Sequence, residues 1–69
     1  MLAFLGGTGE EGKGLALRLA LSGELVIIGS RDRARAEEAA YDLNQIASGA
    51  TICGMDNASA AAEADVAFI

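Results

Sequence analysis

The sequence predicts an α/β fold: a three-layer sandwich around a parallel sheet in the strand order 3-2-1-4. Three observations lead there. Apolar runs alternate with helical stretches in the order β-α-β-α-β-α-β. The runs are apolar throughout, which suits strands covered on both faces rather than on one. The first run also leads straight into a glycine-rich turn that opens a helix.

Each element follows from local chemistry. Leu2-Ala3-Phe4-Leu5 is a short apolar run closed by glycine, consistent with a buried strand. Five of the nine glycines then fall between Gly6 and Gly14. A helix is expected from about Glu11 to Leu21, with Leu15 and Leu19 on one face and Ala16 and Ala20 beside them. Gly23 suits its C-cap. Leu25-Val26-Ile27-Ile28 is the second strand, closed by Gly29. A second helix is expected from about Asp32, its N-cap. Ala36, Ala39, Ala40, Leu43, Ile46 and Ala47 recur at helical spacing, with Glu37, Glu38, Asp42 and Gln45 facing outward. Gly49 ends it. Ala50-Thr51-Ile52-Cys53 reads as a third strand, Met55-Asp56 as a turn, and Asn57 as the cap of a short alanine-rich helix through Glu63. Asp65 to Ile69 reads as a fourth strand, with neither turn nor cap after it. Residues 1–69 are therefore expected to be the N-terminal part of a longer dinucleotide-binding domain, broken off after its fourth strand.

Composition narrows the function. The chain has 69 residues, 52% of them hydrophobic and 22% charged, with ten acids against five bases and a net charge of −5. That balance is too apolar for a disordered chain. Its acidity argues against a nucleic-acid partner. No apolar run approaches the roughly 18 residues of a membrane span, so no membrane partner is expected. No basic leader with a small-residue cleavage site is seen, and one cysteine, Cys53, forms no internal disulfide; a cytoplasmic location is the expectation. The absence of histidine excludes imidazole catalysis within this chain, and no metal site is expected.

The turn after the first strand reads Gly6-Gly7-Thr8-Gly9-Glu10-Glu11-Gly12. It contains G-x-G-x-x-G as Gly7, Gly9 and Gly12. Gly7 permits a tight turn, Gly9 lets backbone approach a pyrophosphate, and Gly12 lets the helix pack close to the strand. The free N–H groups at the helix start then face the phosphates. Set between a strand and a helix, the motif marks a Rossmann-type dinucleotide site. The acidic side chains of Glu10 and Glu11 suit a helix's first turn and solvent, their backbone N–H groups the ligand. Two other motifs overlap this one. Gly7 to Lys13 matches G-x-x-x-x-G-K, the start of a triphosphate loop, but the next residue is Gly14 rather than Ser or Thr. Gly6, Gly9 and Gly12 also fit G-x-x-G-x-x-G, the turn of atypical short-chain dehydrogenases, and that alternative stays open.

The end of the second strand selects the cofactor. NAD-specific folds place an acid there for the ribose 2′-OH. This chain has Gly29-Ser30-Arg31, and Arg35 follows one helical turn later. A hydroxyl and a guanidinium suit a 2′-phosphate. If both lie in a helix, Arg31 and Arg35 repel each other at that spacing, and an anion between them removes the conflict. NADP(H) is the cofactor expected. Arg33 is expected to pair with Glu37, and Asp32, the competing NAD acid, to cap the helix. Cys53 reads as an inert buried thiol. Tyr41 has no Lys four residues later, so it is not half of a Tyr-Lys pair. No catalytic residue is assigned.

These blocks carry a resemblance. Gly6-Gly7-Thr8-Gly9, then Gly12-Lys13-Gly14-Leu15-Ala16-Leu17-Arg18-Leu19-Ala20, then Gly29-Ser30-Arg31, then Gly54-Met55-Asp56-Asn57, are similar to the start of the NADPH-dependent reductases of coenzyme F-420, an 8-hydroxy-5-deazaflavin. The resemblance implies that Thr8, Gly9, Glu10 and Glu11 hold the pyrophosphate, and that Ser30, Arg31 and the base at position 35 hold the 2′-phosphate. It implies an oxidoreductase moving hydride directly between nicotinamide C4 and deazaflavin C5, where positioning and exclusion of water do most of the catalysis. It also implies small-molecule cofactors as partners and a homodimer of the whole protein, with this stretch alone inactive. Two other functions fit the same residues: an NADP-dependent reductase of a carbonyl or imine, and a non-enzymatic NADP-binding redox sensor.

Overall fold

The computed structural model describes residues 1–6, 10–46 and 51–68. Gly7, Thr8 and Gly9 of the glycine turn, Gly49 at the expected helix end, and Ile69 lie outside the described residues. Seven elements follow in chain order: β1 (Leu2–Leu5), α1 (Glu10–Leu21), β2 (Val26–Ser30), α2 (Arg33–Ile46), β3 (Ile52–Asp56), α3 (Asn57–Glu63) and β4 (Val66–Phe68). The four strands form one sheet in the order β3-β2-β1-β4, and every pairing is parallel. This is the expected α/β, Rossmann-type arrangement. No described helix is long and apolar enough to cross a membrane.

Alternation along the strands divides the core into two layers. Phe4, Val26, Ile28 and Ile52 pack with Ala16 and Ala20 of α1 and with Ala36, Ala39, Ala40 and Leu43 of α2. On the opposite face Ala3 and Ile27 pack with Ala60 of α3. Successive strand side chains point to opposite faces, so Ala3 and Phe4 serve different layers. Val26, Ile27 and Ile28 are almost completely buried, which makes β2 the centre of the fold. Alanines dominate the helix surfaces because small side chains let the helix backbones lie close to the sheet.

The helix ends are chemically specified. Asp32 caps α2 as expected: its Oδ1 accepts from the Ala34 N–H at 3.0 Å, and its carbonyl accepts from the Ala36 N–H at 3.2 Å. Gly23 turns the chain after α1 with φ +94°, and its N–H donates to the Ala20 carbonyl. Asn44 holds the entry of β3 by donating Nδ2–H to the Ile52 carbonyl at 2.9 Å and accepting the Ile52 N–H at 3.2 Å.

Several sequence expectations are corrected. Leu15 is exposed, while Ala16 and Ala20 form the buried face of α1 and Leu17 and Leu19 flank it. Ile46 is also exposed, because it ends α2 beyond Leu43, the last buried residue of the helix. Leu25 is exposed just before β2 begins. Cys53 is exposed rather than buried: β3 is an edge strand, and α3 packs over Ala3 and Ile27 instead. Met55 and Asp56 are not a turn. They continue β3, pairing with Gly29 and Ser30. The cap of α3 is Asp56, whose carboxylate accepts from the Ser59 N–H at 2.9 Å and the Ser59 hydroxyl at 2.8 Å. Asn57 is the first residue of the helix.

Candidate functional site

In an open parallel sheet, ligands sit beyond the carboxyl ends of the strands, where the connections to the helices begin. There this chain has a cleft of about 380 Å³, lined by Gly6, Ser30, Arg31, Asp32, Arg35 and Asn57. Gly6 leaves β1, Ser30 ends β2, and Asn57 starts α3 directly after β3. Three adjacent strand ends thus converge on one opening. Its size falls within the roughly 300–1,000 Å³ of small-molecule sites.

Local geometry prepares the site. Gly6 takes φ +72°, a left-handed conformation that a side chain would strain, and so redirects the chain out of β1. Its N–H donates to the Gly29 carbonyl at 2.9 Å and to Asn57 Oδ1 at 3.3 Å. Gly29 is needed for close packing: a Cβ there would meet Asn57 Oδ1 at 2.9 Å, Leu5 Cδ2 at 3.0 Å and the Ala60 Cβ at 3.1 Å. Gly12 lies within the first turn of α1. The side chains of Glu10 and Glu11 lie outside the described residues, as do Gly7, Thr8 and Gly9.

At the end of β2, Ser30 is buried, and its Oγ accepts the Asp32 N–H at 3.2 Å. That bond uses a lone pair and leaves the hydroxyl hydrogen for an acceptor in the cleft. Arg31 and Arg35 are both exposed and both line the opening. Arg33 lies elsewhere, its Nε 3.7 Å from Glu37 Oε1, as expected. The Asp32 carboxylate is occupied with capping α2. The strand end therefore offers one hydroxyl and two guanidiniums, with its nearest acid engaged by backbone. Lys13 lines a separate depression between α1 and α2, together with Arg35, Glu38, Ala39 and Asp42.

The residues fit a phosphorylated ribose. Two guanidiniums supply planar donors suited to phosphate oxygens. Among the described residues, no group of His, Cys, Asp or Glu is placed to hold a metal ion. Asn57 is the residue that sequence reasoning assigned differently. Its location at the carboxyl end of β3 was the available signal, since ligand contacts concentrate there.

Comparison with known proteins shows the family. The family described as NADP oxidoreductase coenzyme F420-dependent matches residues 1–69. An F420-dependent NADP reductase of Methanothermobacter marburgensis is 54% identical over 99% of this chain and 31% of its own length. Proteins of the same name from Methanothermobacter thermautotrophicus and Methanocaldococcus jannaschii are 50% and 47% identical, again over 99% of this chain and 30% and 32% of theirs. The chain thus spans about a third of the length of these curated relatives. With the match extending from the first residue to the last, the chain belongs to the coenzyme F420-dependent NADP oxidoreductase family.

Proposed function

We propose that residues 1–69 form the NADP(H)-binding part of a reductase that moves hydride between NADPH and coenzyme F-420. The observation that carries this reading is the convergence of Ser30, Arg31 and Arg35 on one cleft at the carboxyl end of the sheet. Arg31 and Arg35 hold the 2′-phosphate, and the Ser30 hydroxyl donates to it. Gly7, Thr8, Gly9, Glu10, Glu11 and Gly12 hold the pyrophosphate through backbone N–H groups. When bound, NADP(H) supplies or accepts the hydride at its nicotinamide ring.

The contribution of this chain is then binding and orientation. Arg31 and Arg35 would hold the adenosine end by charge at the rim of the cleft. The share of the relatives' length outside this match supports assigning the deazaflavin contacts to other parts of the protein. The same reading includes a homodimer of the whole protein and a cytoplasmic location, which suits an exposed free thiol at Cys53. Incubation of the whole protein with NADPH and oxidised coenzyme F-420 tests the activity. Loss of the oxidised deazaflavin absorbance is the expected result, and no change with active coenzyme would exclude it.

A further inference from the structure

We infer that Asn57 donates a hydrogen bond from its side-chain amide to the adenosine-side oxygens of the bound dinucleotide, and so acts as a binding residue rather than as a helix cap. This rests on the NADP(H) reading of the cleft.

Capping does not require Asn57. Asp56 caps α3, with both of its carboxylate oxygens engaged by Ser59. The Asn57 side chain turns instead toward β1 and the cleft. Its two amide atoms have different surroundings. Oδ1 accepts the Gly6 N–H at 3.3 Å and packs against Gly29, where a Cβ would lie 2.9 Å away. This arrangement fixes which end of the amide faces the sheet. Among the described residues, Nδ2 donates to no acceptor. An amide carries two donors, and a side chain lining a polar cleft presents them to whatever fills it.

The surrounding charge selects the occupant's chemistry. Asn57 shares the cleft with Arg31, Arg35 and the Ser30 hydroxyl. An occupant held by those groups is rich in oxygen acceptors, as ribose and phosphate are. Asn57 approaches from the β3 side, and the arginines lie at the β2 end and on α2. The ligand is thereby gripped from two directions. Gly6 gains a second role, since the residue that opens the phosphate turn also orients a ligand donor through its own N–H.

Calorimetric titration with adenosine 2′,5′-bisphosphate isolates this end of the cofactor. Asn57→Asp keeps an acceptor for the Gly6 N–H but removes the donor. It is expected to melt like the parent protein and to bind the bisphosphate about tenfold more weakly, the scale of one charge-assisted hydrogen bond. The loss should persist at high salt, where simple repulsion by the new carboxylate is screened. Asn57→Ala is expected to bind more weakly by a similar factor. Parent-like binding by either variant overturns the inference, as does a loss in Asn57→Asp that vanishes at high salt. Failure of the unaltered protein to bind the bisphosphate overturns the NADP(H) reading as well, so the two failures are distinguishable.

Discussion

Gly54 lies directly against the backbone of Ala36: a Cβ at Gly54 would overlap the carbonyl carbon and carbonyl oxygen of Ala36 and the Glu37 nitrogen. No side chain could relieve that overlap by rotating, since the obstructing atoms are main chain. The contact sets how deeply the first turn of α2 seats on β3. Arg35 precedes Ala36 in that turn, so the same contact fixes where its guanidinium starts from at the rim of the cleft.

Gly54→Ala should therefore be unusually costly for so small a change. Displacement of α2 is expected to destabilise the protein by about 3 kcal/mol or more, at the upper end of overpacking effects. Chemical unfolding measures this directly. A loss below about 1 kcal/mol would show that α2 shifts freely and that its position is not set at Gly54.

Asn44 supplies a second anchor. Its amide meets both polar backbone groups of Ile52, at 2.9 and 3.2 Å, in place of a neighbouring strand. Asn44→Leu leaves the part-buried N–H and carbonyl without partners and should cost about 1–3 kcal/mol. Asn44→Asp retains the acceptor for the Ile52 N–H and should recover part of the difference. Equal stability of the Leu variant and the parent would contradict the anchoring role.

The three arginines after β2, Arg31 before α2 and Arg33 and Arg35 in its first turn, should behave differently. Arg31→Ala and Arg35→Ala are each expected to weaken NADPH by about tenfold or more while changing NADH little, because each removes a charge-assisted contact to the 2′-phosphate. Arg33→Ala should leave both affinities near the parent's, since Arg33 lies beside Glu37 on the exposed helix surface. Parallel losses for both dinucleotides in the Arg31 variant would remove the phosphate assignment.

Acid should loosen α3. The Ser59 backbone N–H, and then its hydroxyl, hold the Asp56 carboxyl below its ordinary value of 3.8. A depressed carboxylate stabilises the fold at pH above its unfolded value, and that contribution is lost as pH falls through the folded value. Asp65 works in the same direction, its carboxyl lowered by the hydrogen bond and charge of the Met1 amine at 2.8 Å. The Ser59 amide, followed by NMR, should lose protection below about pH 4 in the parent. Asp56→Asn should flatten that response while still capping the helix. An unchanged acid response in the variant would place its origin elsewhere.

The sequence made most of this fold readable, for identifiable reasons. Val26, Ile27 and Ile28 are apolar on both sides of the strand because both faces of β2 are covered, and the run shows this without coordinates. Asp32, Arg33 and Gly23 occupy positions where local chemistry alone dictates a cap, an exposed pair and a left-handed turn. The exceptions depend on tertiary relationships. Whether Cys53 is covered depends on how far α3 reaches across the sheet, not on the composition of β3. Met55 and Asp56 remain extended because Gly29 and Ser30 pair with them. Asn57 resembles a cap in sequence, and only the fold brings its side-chain oxygen to the Gly6 N–H. Ser30, Arg31 and Arg35 line one cleft, and their grouping was readable because all three fall at or just after the end of the second strand.

Titration of the protein with NADPH and NADH under identical conditions tests the central claim most directly. Two charge-assisted contacts of about 1.5 kcal/mol each predict that NADPH binds about a hundredfold more tightly, or more. Equal affinity for the two dinucleotides would contradict the assignment of Arg31 and Arg35 to the 2′-phosphate.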